Sequence, residues 1–338
     1  MCSEERLKKN QIFLSVVIIG RNEGDNLPKL FTSLPVMNGL ELIYVDSGST
    51  DDSAAMAYNR GARVFQIKDS DITGPAAGRY VGTLEARGIW ALYLDGDMVL
   101  SEAFHKFIGR VMSDFTTELG TNIAGFVGRT RNIYLDHQGM AKSERDYAVL
   151  PAKEMGPLEK WGYCASYHGG AVLYRREAVL LAGNWNPAVY QLEEIDLYCR
   201  IKSLGYHVRA IDIPMVDHYT PYLSLSSRFM LNFSGSWKGK KLIGAGQVVK
   251  AHWQKRTLFS FIRCYPYPFI VLTGIITTPL LFTTHWPLFL GTNMVIAIYI
   301  GVKTRWYYYL VYLGNLLQIF RGLGKYRDFT PGYQSYSE

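Results

Sequence analysis

Ile89-Trp-Ala-Leu-Tyr-Leu94, followed at once by Asp95-Gly96-Asp97, is the stretch on which the reading of this chain turns. A short apolar run bounded by polar residues suits a strand covered on both faces, as in a parallel sheet. Ending such a strand in two carboxylates with one glycine between them makes a compact set of hard oxygen ligands. Ligands of that kind suit Mg²⁺ or Mn²⁺, which keep open positions for diphosphate oxygens. Gly96 lets the backbone turn and lets a ligand approach closely. An isolated Asp-x-Asp also occurs in plain loops, so its weight comes from the sequence on either side.

Upstream, Phe13-Leu-Ser-Val-Val-Ile-Ile19 is a β-branched run of the same buried type, followed by the polar turn Gly20–Asn26. Leu27–Leu34 reads as a helix with Pro28 in its first turn. Leu40–Val45 is a second strand, closed by Asp46-Ser-Gly-Ser-Thr-Asp51, where Ser49 or Thr50 can cap the next helix. Ala62–Gln66 reads as a third strand, and a helix from about Pro75 to Arg87 leads into the fourth, Trp90–Leu94. Strands alternating with helices predict an α/β fold on a mostly parallel sheet with right-handed crossovers. Ligands bind such sheets at the carboxyl ends of their strands. Three of these ends carry polar loops that would converge: Arg21-Asn22-Glu23, Asp46-Ser47 and Asp95–Asp97. Neither Gly-x-Gly-x-x-Gly nor a Walker pattern follows the first strand, which disfavours a dinucleotide or P-loop site. Far downstream, Glu193, Glu194 and Asp196 open another helix, where the dipole alone favours acids.

With 338 residues the chain has room for one large domain plus an attachment, or for two domains. The four cysteines, Cys2, Cys164, Cys199 and Cys264, are scattered without a Cys-x-x-Cys pair. That pattern fits a reducing compartment, with Cys164 and Cys199 as packing residues. The N-terminal residues are charged and lack an apolar signal core. The net charge of +7 is unevenly spread: residues 1–217 hold 27 acids and 23 bases, whereas residues 218–327 hold 13 bases and no Asp or Glu. A basic stretch can bind nucleic acid, but this one brackets the most apolar part of the chain, so an anionic membrane surface is the expected partner and nucleic acid is not.

The chain resembles family 2 of the nucleotide-sugar glycosyltransferases, whose fold is the Rossmann-like GT-A type. The resemblance rests on Ser15-Val-Val-Ile-Ile-Gly-Arg-Asn-Glu23, Tyr44-Val-Asp-Ser-Gly-Ser-Thr-Asp51, Gly74-Pro-Ala-Ala-Gly-Arg-Tyr-Val-Gly82 and Tyr93-Leu-Asp-Gly-Asp97. It continues through Gly169-Gly-Ala-Val-Leu-Tyr-Arg175 and Glu193-Glu-Ile-Asp-Leu-Tyr-Cys-Arg200, so it covers roughly residues 13–220. It implies that Arg21, Asn22, Glu23, Asp46 and Ser47 hold the nucleotide base and ribose, with Arg79 a basic group near the donor. Asp95 and Gly96 would touch ribose or metal, and Asp97 would bind the Mn²⁺ or Mg²⁺ that bridges the diphosphate, with His218 as a further metal or phosphate contact. The catalytic base would be Glu194 or Glu193. It would take the acceptor's proton during a direct, inverting displacement with no covalent intermediate.

Three departures from the family pattern matter. The base motif is usually Glu-Asp, whereas this chain has Glu193-Glu194, which leaves open which glutamate acts. Ser47 replaces the second acid after the second strand. The Gln-x-x-Arg-Trp of processive members is missing, its nearest stretch being Ser226-Ser-Arg-Phe229, so long-polymer synthesis is disfavoured.

From Cys264 to Val302 there are 39 consecutive residues without a charged side chain. A spanning helix needs about 20 apolar residues, so the run suits two short helices turning at Thr283-Thr-His-Trp-Pro287, or a re-entrant hairpin. Bases on both sides put both ends in the cytoplasm. The expected organisation is a GT-A catalytic domain over 1–220 and a basic, aromatic interfacial segment over 221–263, whose glycines argue against one continuous helix. A membrane hairpin over 264–302 would follow, then an aromatic interfacial helix with a loose tail over 303–338. The expected activity is transfer of one sugar from a nucleotide sugar, a UDP-sugar by preference, to a lipid-linked or glycolipid acceptor at the cytoplasmic membrane face. A polyprenyl-phosphate sugar synthase and a non-catalytic scaffold of a polysaccharide assembly complex are the alternatives.

Overall fold

The computed structural model describes residues 12–68, 74–113, 122–147, 170–224, 227, 241–266, 268–273, 291, 294–296, 298 and 318–337. Two compact units divide the chain: one comprises 1–188, 193–222 and 328–338, the other 189–192 and 223–327.

The first unit is built on one sheet. Strands β1 (Leu14–Gly20), β2 (Leu40–Asp46), β3 (Arg63–Ile67) and β4 (Trp90–Asp95) form its parallel part, ordered β3-β2-β1-β4. β1 and β4 are buried almost throughout, as runs of Val, Ile, Leu and Trp require in the middle of a sheet. Helices α1 (Leu27–Thr32), α2 (Ser53–Asn59) and α3 (Pro75–Glu85) connect these strands. α1 begins with proline in its first turn, as expected. α2 does not use the predicted cap: Asp52 sits at its N-cap position, while the Ser49 hydroxyl is held by Asp46. α3 lies almost on the backbone of β1. A methyl at Gly82 would stand 2.2 Å from Val17 Cγ1, and one at Gly78 would stand 2.9 Å from Ile19 Cγ2. Only glycine permits that approach, and it brings Arg79, next to Gly78, into the core.

Beyond β4 the sheet is mixed, which corrects the expectation of a mostly parallel one. β8 (Val172–Arg175) runs antiparallel to β4, and β6 (Ile123–Leu135) antiparallel to β8. β9 (His207–Pro221) is parallel to β6, β5 (Met98–Leu100) is antiparallel to β9, and β7 (Ala141–Tyr147) pairs with the outer part of β6. These strands are hard to see in sequence. β7 reads Ala-Lys-Ser-Glu-Arg-Asp-Tyr, with no apolar alternation, and β9 contains Pro214, which sits where its register with β6 shifts. Helices α4 (Glu102–Ser113), α5 (Arg176–Leu181) and α6 (Glu193–Ser203) belong to the same unit.

The C-terminal residues, expected to be loose, form β10 (Tyr333–Ser335) antiparallel to the edge strand β3. Lys68 N–H donates to the Gly332 carbonyl and Tyr336 N–H to that of Val64, both at 2.9 Å, and the Tyr333 hydroxyl donates to Glu85 at 2.7 Å. An open edge has unpaired N–H and C=O groups, and a short tyrosine-bearing strand satisfies them.

In the second unit, α7 (Lys241–Ala251) and α8 (Thr257–Cys264) are joined by the turn 252–256. Gly244 and Gly246 lie inside α7 rather than breaking it. A methyl at Gly246 would stand 2.0 Å from the Ile319 carbonyl oxygen, and one at Gly322 would stand 2.1 Å from that of Ile243. Helix 318–325 therefore crosses α7 backbone to backbone. A methyl at Gly244 would meet the Gln191 carbonyl at 2.2 Å, and the Gln247 side chain accepts the Tyr190 N–H at 3.0 Å. Leu192, at the end of that segment, is held in the left-handed region at φ 70°. Most of the expected hairpin lies outside the described residues. Among those described, no helix is long and apolar enough to cross a membrane.

Candidate active site

The polar loops after β1, β2 and β4 come together, as their strand order requires. Asn22, at φ 58°, links the first two: its side-chain oxygen accepts the Thr50 N–H at 2.8 Å, and its own N–H donates to the Ser49 hydroxyl at 2.9 Å. Glu23 N–H donates to Ser53 Oγ and Gly24 N–H to Asp51. Asp46 is fully buried, accepts the Ser49 N–H and hydroxyl, and takes a Gln66 amide at 3.3 Å. Arg21 is exposed at the mouth of these loops, and Ser47 bonds back through its N–H to the Gly20 carbonyl.

Glu23 lies over Gly96, where a methyl would stand 2.5 Å from its Cγ. Burial raises its carboxyl to about 7 against a hydrogen bond from Asn26, and the charges of Asp97 and Asp95 add to the rise. Asp97 and His218 are brought together by the β5–β9 pairing, which sets Met98 opposite His218. His218 Nε2 stands 3.1 Å from Asp97 Oδ2, and Tyr219 N–H donates to the Asp97 carbonyl. Burial opposes charge on His218, but the hydrogen bond and charge of Asp97, with Asp95 and Glu23, outweigh it and raise its pKa.

The other half of the site arrives through Arg79, a fully buried arginine. Its Nη2 donates to Asp95 Oδ1 and its Nη1 to Glu193 Oε1, both at 2.7 Å, while the guanidinium sits 5.2 Å from the Trp185 ring centre. Trp185 in turn packs edge-on against Tyr93 and Tyr174. Gly170, at φ +96°, fills the remaining gap: its N–H donates to Glu194 Oε1 at 2.8 Å, and a methyl on it would stand 2.2 Å from Asp95 Oδ2. The strand-end carboxylates and the α6 glutamates, nearly a hundred residues apart in sequence, thus belong to one network. Burial raises both glutamate pKa values. Glu193 is opposed by Arg79, while Glu194, with the Glu193 charge beside it, rises to about 8. Asp196, also buried, pairs with Arg200, which holds the Asn184 carbonyl and so fixes α6 beneath the site.

Whether the site suits a divalent cation can be judged from its atoms. Asp97 Oδ1 is buried and has no hydrogen-bond partner among the described residues, an arrangement that costs free energy unless something else is bound there. Among the described residues no group of three or more His, Cys, Asp or Glu is placed to hold a metal ion. Among them the free Oδ1 of Asp97 is the one oxygen whose state suits a cation completed by substrate oxygens and water, as Mg²⁺ is when held by one or two carboxylates.

The candidate residues read from the sequence lie in these loops or in the Arg79 network, except His218, which reaches Asp97 from β9. The reading missed Trp185 and Gly170. Gly170 stood inside a quoted motif, where two adjacent glycines could have drawn attention to it; Trp185 had no local signal.

Residues 15–180 match the sequence family described as Glycosyl transferase family 2, a span that takes in the three loops and Asp95–Asp97 but ends before Glu193. Over 214 residues the chain is 24% identical to the Pre-mycofactocin glycosyltransferase of Mycobacterium tuberculosis, covering 61% of this chain and 42% of that protein. The chain thus spans less than half the length of the curated relatives it matches. Among solved structures, the mannosyltransferase PcManGT from Pyrobaculum calidifontis, in complex with GDP-Man and Mn²⁺, is similar with a TM-score of 0.55 at 14% identity, over 94% of this chain and 92% of that one. GalNAc-T7 with UDP, GalNAc and Mn²⁺ is similar at 0.50 and 18% identity, over 77% and 51%. These likenesses establish the fold. Residues 15–180, just under half of the chain, are thus similar to glycosyl transferase family 2, on a fold shared with two solved glycosyltransferases.

Proposed function

We propose that the protein transfers a single sugar from a nucleotide sugar, preferably a UDP-sugar, to a lipid-linked or glycolipid acceptor at the cytoplasmic face of a membrane, with inversion at the anomeric carbon. The observation that carries the reading is the Arg79 network, which draws the Asp95-Gly96-Asp97 loop and the α6 glutamates into one site. The polar loops of β1 and β2 take the nucleoside, with Asp46 turned toward its own loop and ready to exchange part of that hydrogen bonding for base or ribose. Glu194 takes the proton of the attacking hydroxyl. Glu193 is already occupied by Arg79, whereas the Glu194 carboxyl, raised to about 8, is a stronger base than an ordinary carboxylate. Asp97 and His218 would hold a divalent cation, which when bound supplies positive charge for the leaving diphosphate. Relatives bound to UDP or GDP-Man with Mn²⁺ support the donor class. The charge-free run 264–302 and the acid-free stretch around it support the membrane and the lipid acceptor.

Calorimetric titration of the purified chain with UDP, GDP and dTDP, with and without Mn²⁺, tests the donor site. One nucleotide should bind in a Mn²⁺-dependent manner, and Asp97→Asn should weaken it by at least tenfold, in line with the loss of a metal ligand. Well-folded protein that binds none of the three would overturn the reading.

A further inference from the structure

The second unit has a surface made of a few outward aromatics set among bases. Arg256, at the N-cap of α8, and Phe259 and Arg263 within it recur at three- and four-residue spacing and are exposed, while Thr257 and Phe261 lie on the buried side. Phe259 is 74% exposed, and Trp253, in the turn that leads into α8, is 56% exposed. The neighbouring His252 points the other way and stacks on Phe261 at 6.4 Å between ring centres. Lys250, Lys255 and Arg256 are exposed beside these rings, and no Asp or Glu occurs between residues 218 and 327 to neutralise them. Single exposed apolar side chains are ordinary on a protein surface. Two large aromatics in a turn and helix, within a stretch of sequence that has bases but no acid, form a pattern with a physical partner: rings favour the headgroup level, and lysine and arginine favour an anionic leaflet.

We infer that the α7–α8 turn and the outer face of α8 dock on an anionic lipid bilayer, with Trp253 and Phe259 in the headgroup layer and Lys250, Lys255, Arg256 and Arg263 against its charge. Continuity with the chain favours lipid over nucleic acid, because α8 ends at Cys264, where the 39-residue charge-free run begins. The inference rests on the membrane reading above but can fail separately from it. If the run 264–302 enters the bilayer, α8 stands at its cytoplasmic threshold. The basic face then fixes the height at which the chain meets the lipid surface.

The test uses the full chain, freed of detergent in the presence of phosphatidylcholine vesicles with or without phosphatidylglycerol. An environment-sensitive dye is placed at Phe259→Cys or Trp253→Cys and, as control, at Met140→Cys, an exposed position in the turn between β6 and β7. The unsubstituted chain is labelled in parallel to subtract the native cysteines. With phosphatidylglycerol, emission from positions 253 and 259 should shift to the blue and become roughly threefold less accessible to an aqueous quencher, while position 140 stays open. Chain that floats with the vesicles but leaves 253 and 259 as accessible as 140 would overturn this surface and leave the membrane reading standing. Equal protection in neutral vesicles would overturn the anionic preference, and chain that floats with neither vesicle would remove both readings.

Discussion

Arg79 is the residue on which the site depends most, because two carboxylates compete for its guanidinium and both are satisfied. Arg79→Met leaves Glu193 buried without a counter-charge and should cost roughly 3 kcal/mol, the low end for breaking a buried pair because Asp95 remains partly in water. Urea unfolding of the two proteins measures it directly. Glu194→Gln should lower the rate about a hundredfold or more with donor binding nearly unchanged, which single-turnover and calorimetric measurements separate. The sign of the pH dependence follows from burial. A carboxyl raised to about 8 is protonated at neutral pH, so the rate should climb as pH rises through 8 and level off above it. Glu193→Gln removes the adjacent negative charge and frees Arg79 to face Glu194, so the rising limb should move toward acid. A shift toward base would contradict the assignment. The same proton tells on stability: the folded state keeps a proton that the unfolded chain releases, so this contribution is present at acid pH and lost as pH rises through 8. The acids of the site were legible as residue types at strand ends and at a helix start. The partnership of Arg79 with Glu193, across more than a hundred residues, was not, because no local pattern encodes which buried acid an arginine will reach.

At the scale of elements, the parallel half of the sheet was legible because β-branched runs, prolines at helix starts and polar strand ends all agree there. The antiparallel half was not, since β7 has the composition of a loop and gains its identity from pairing with β6, while β9 is interrupted by Pro214. The contact of α3 with β1 shows how narrow the tolerances are. Alanine is the better helix former, yet Gly82→Ala would drive a methyl into Val17. The substitution should destabilise the protein by about 1–3 kcal/mol, and Val17→Ala in the same chain should recover part of that loss. A double-mutant cycle in denaturant would show the coupling. Strict additivity would mean that the helix simply moves away.

Across the whole molecule, the sequence reading mistook the tail, which it expected to be loose. Residues 328–338 belong with the first unit, and their strand covers the β3 edge. Removing residues 328–338 should expose the backbone of Arg63–Ile67 and promote association between copies, visible as concentration-dependent scattering. Charge patterning, by contrast, was plain from the sequence, because it is a sum over residues and needs no contacts. The position of β10 also sets an order of events during synthesis. Since its partner β3 leaves the ribosome some 270 residues earlier, the sheet is born with an open edge and keeps it while the entire charge-free run is being made. If the nascent chain is then already committed to a bilayer, the unfinished edge spends its vulnerable interval tethered to a surface and apart from other copies. β10 closes it only after that run has been made.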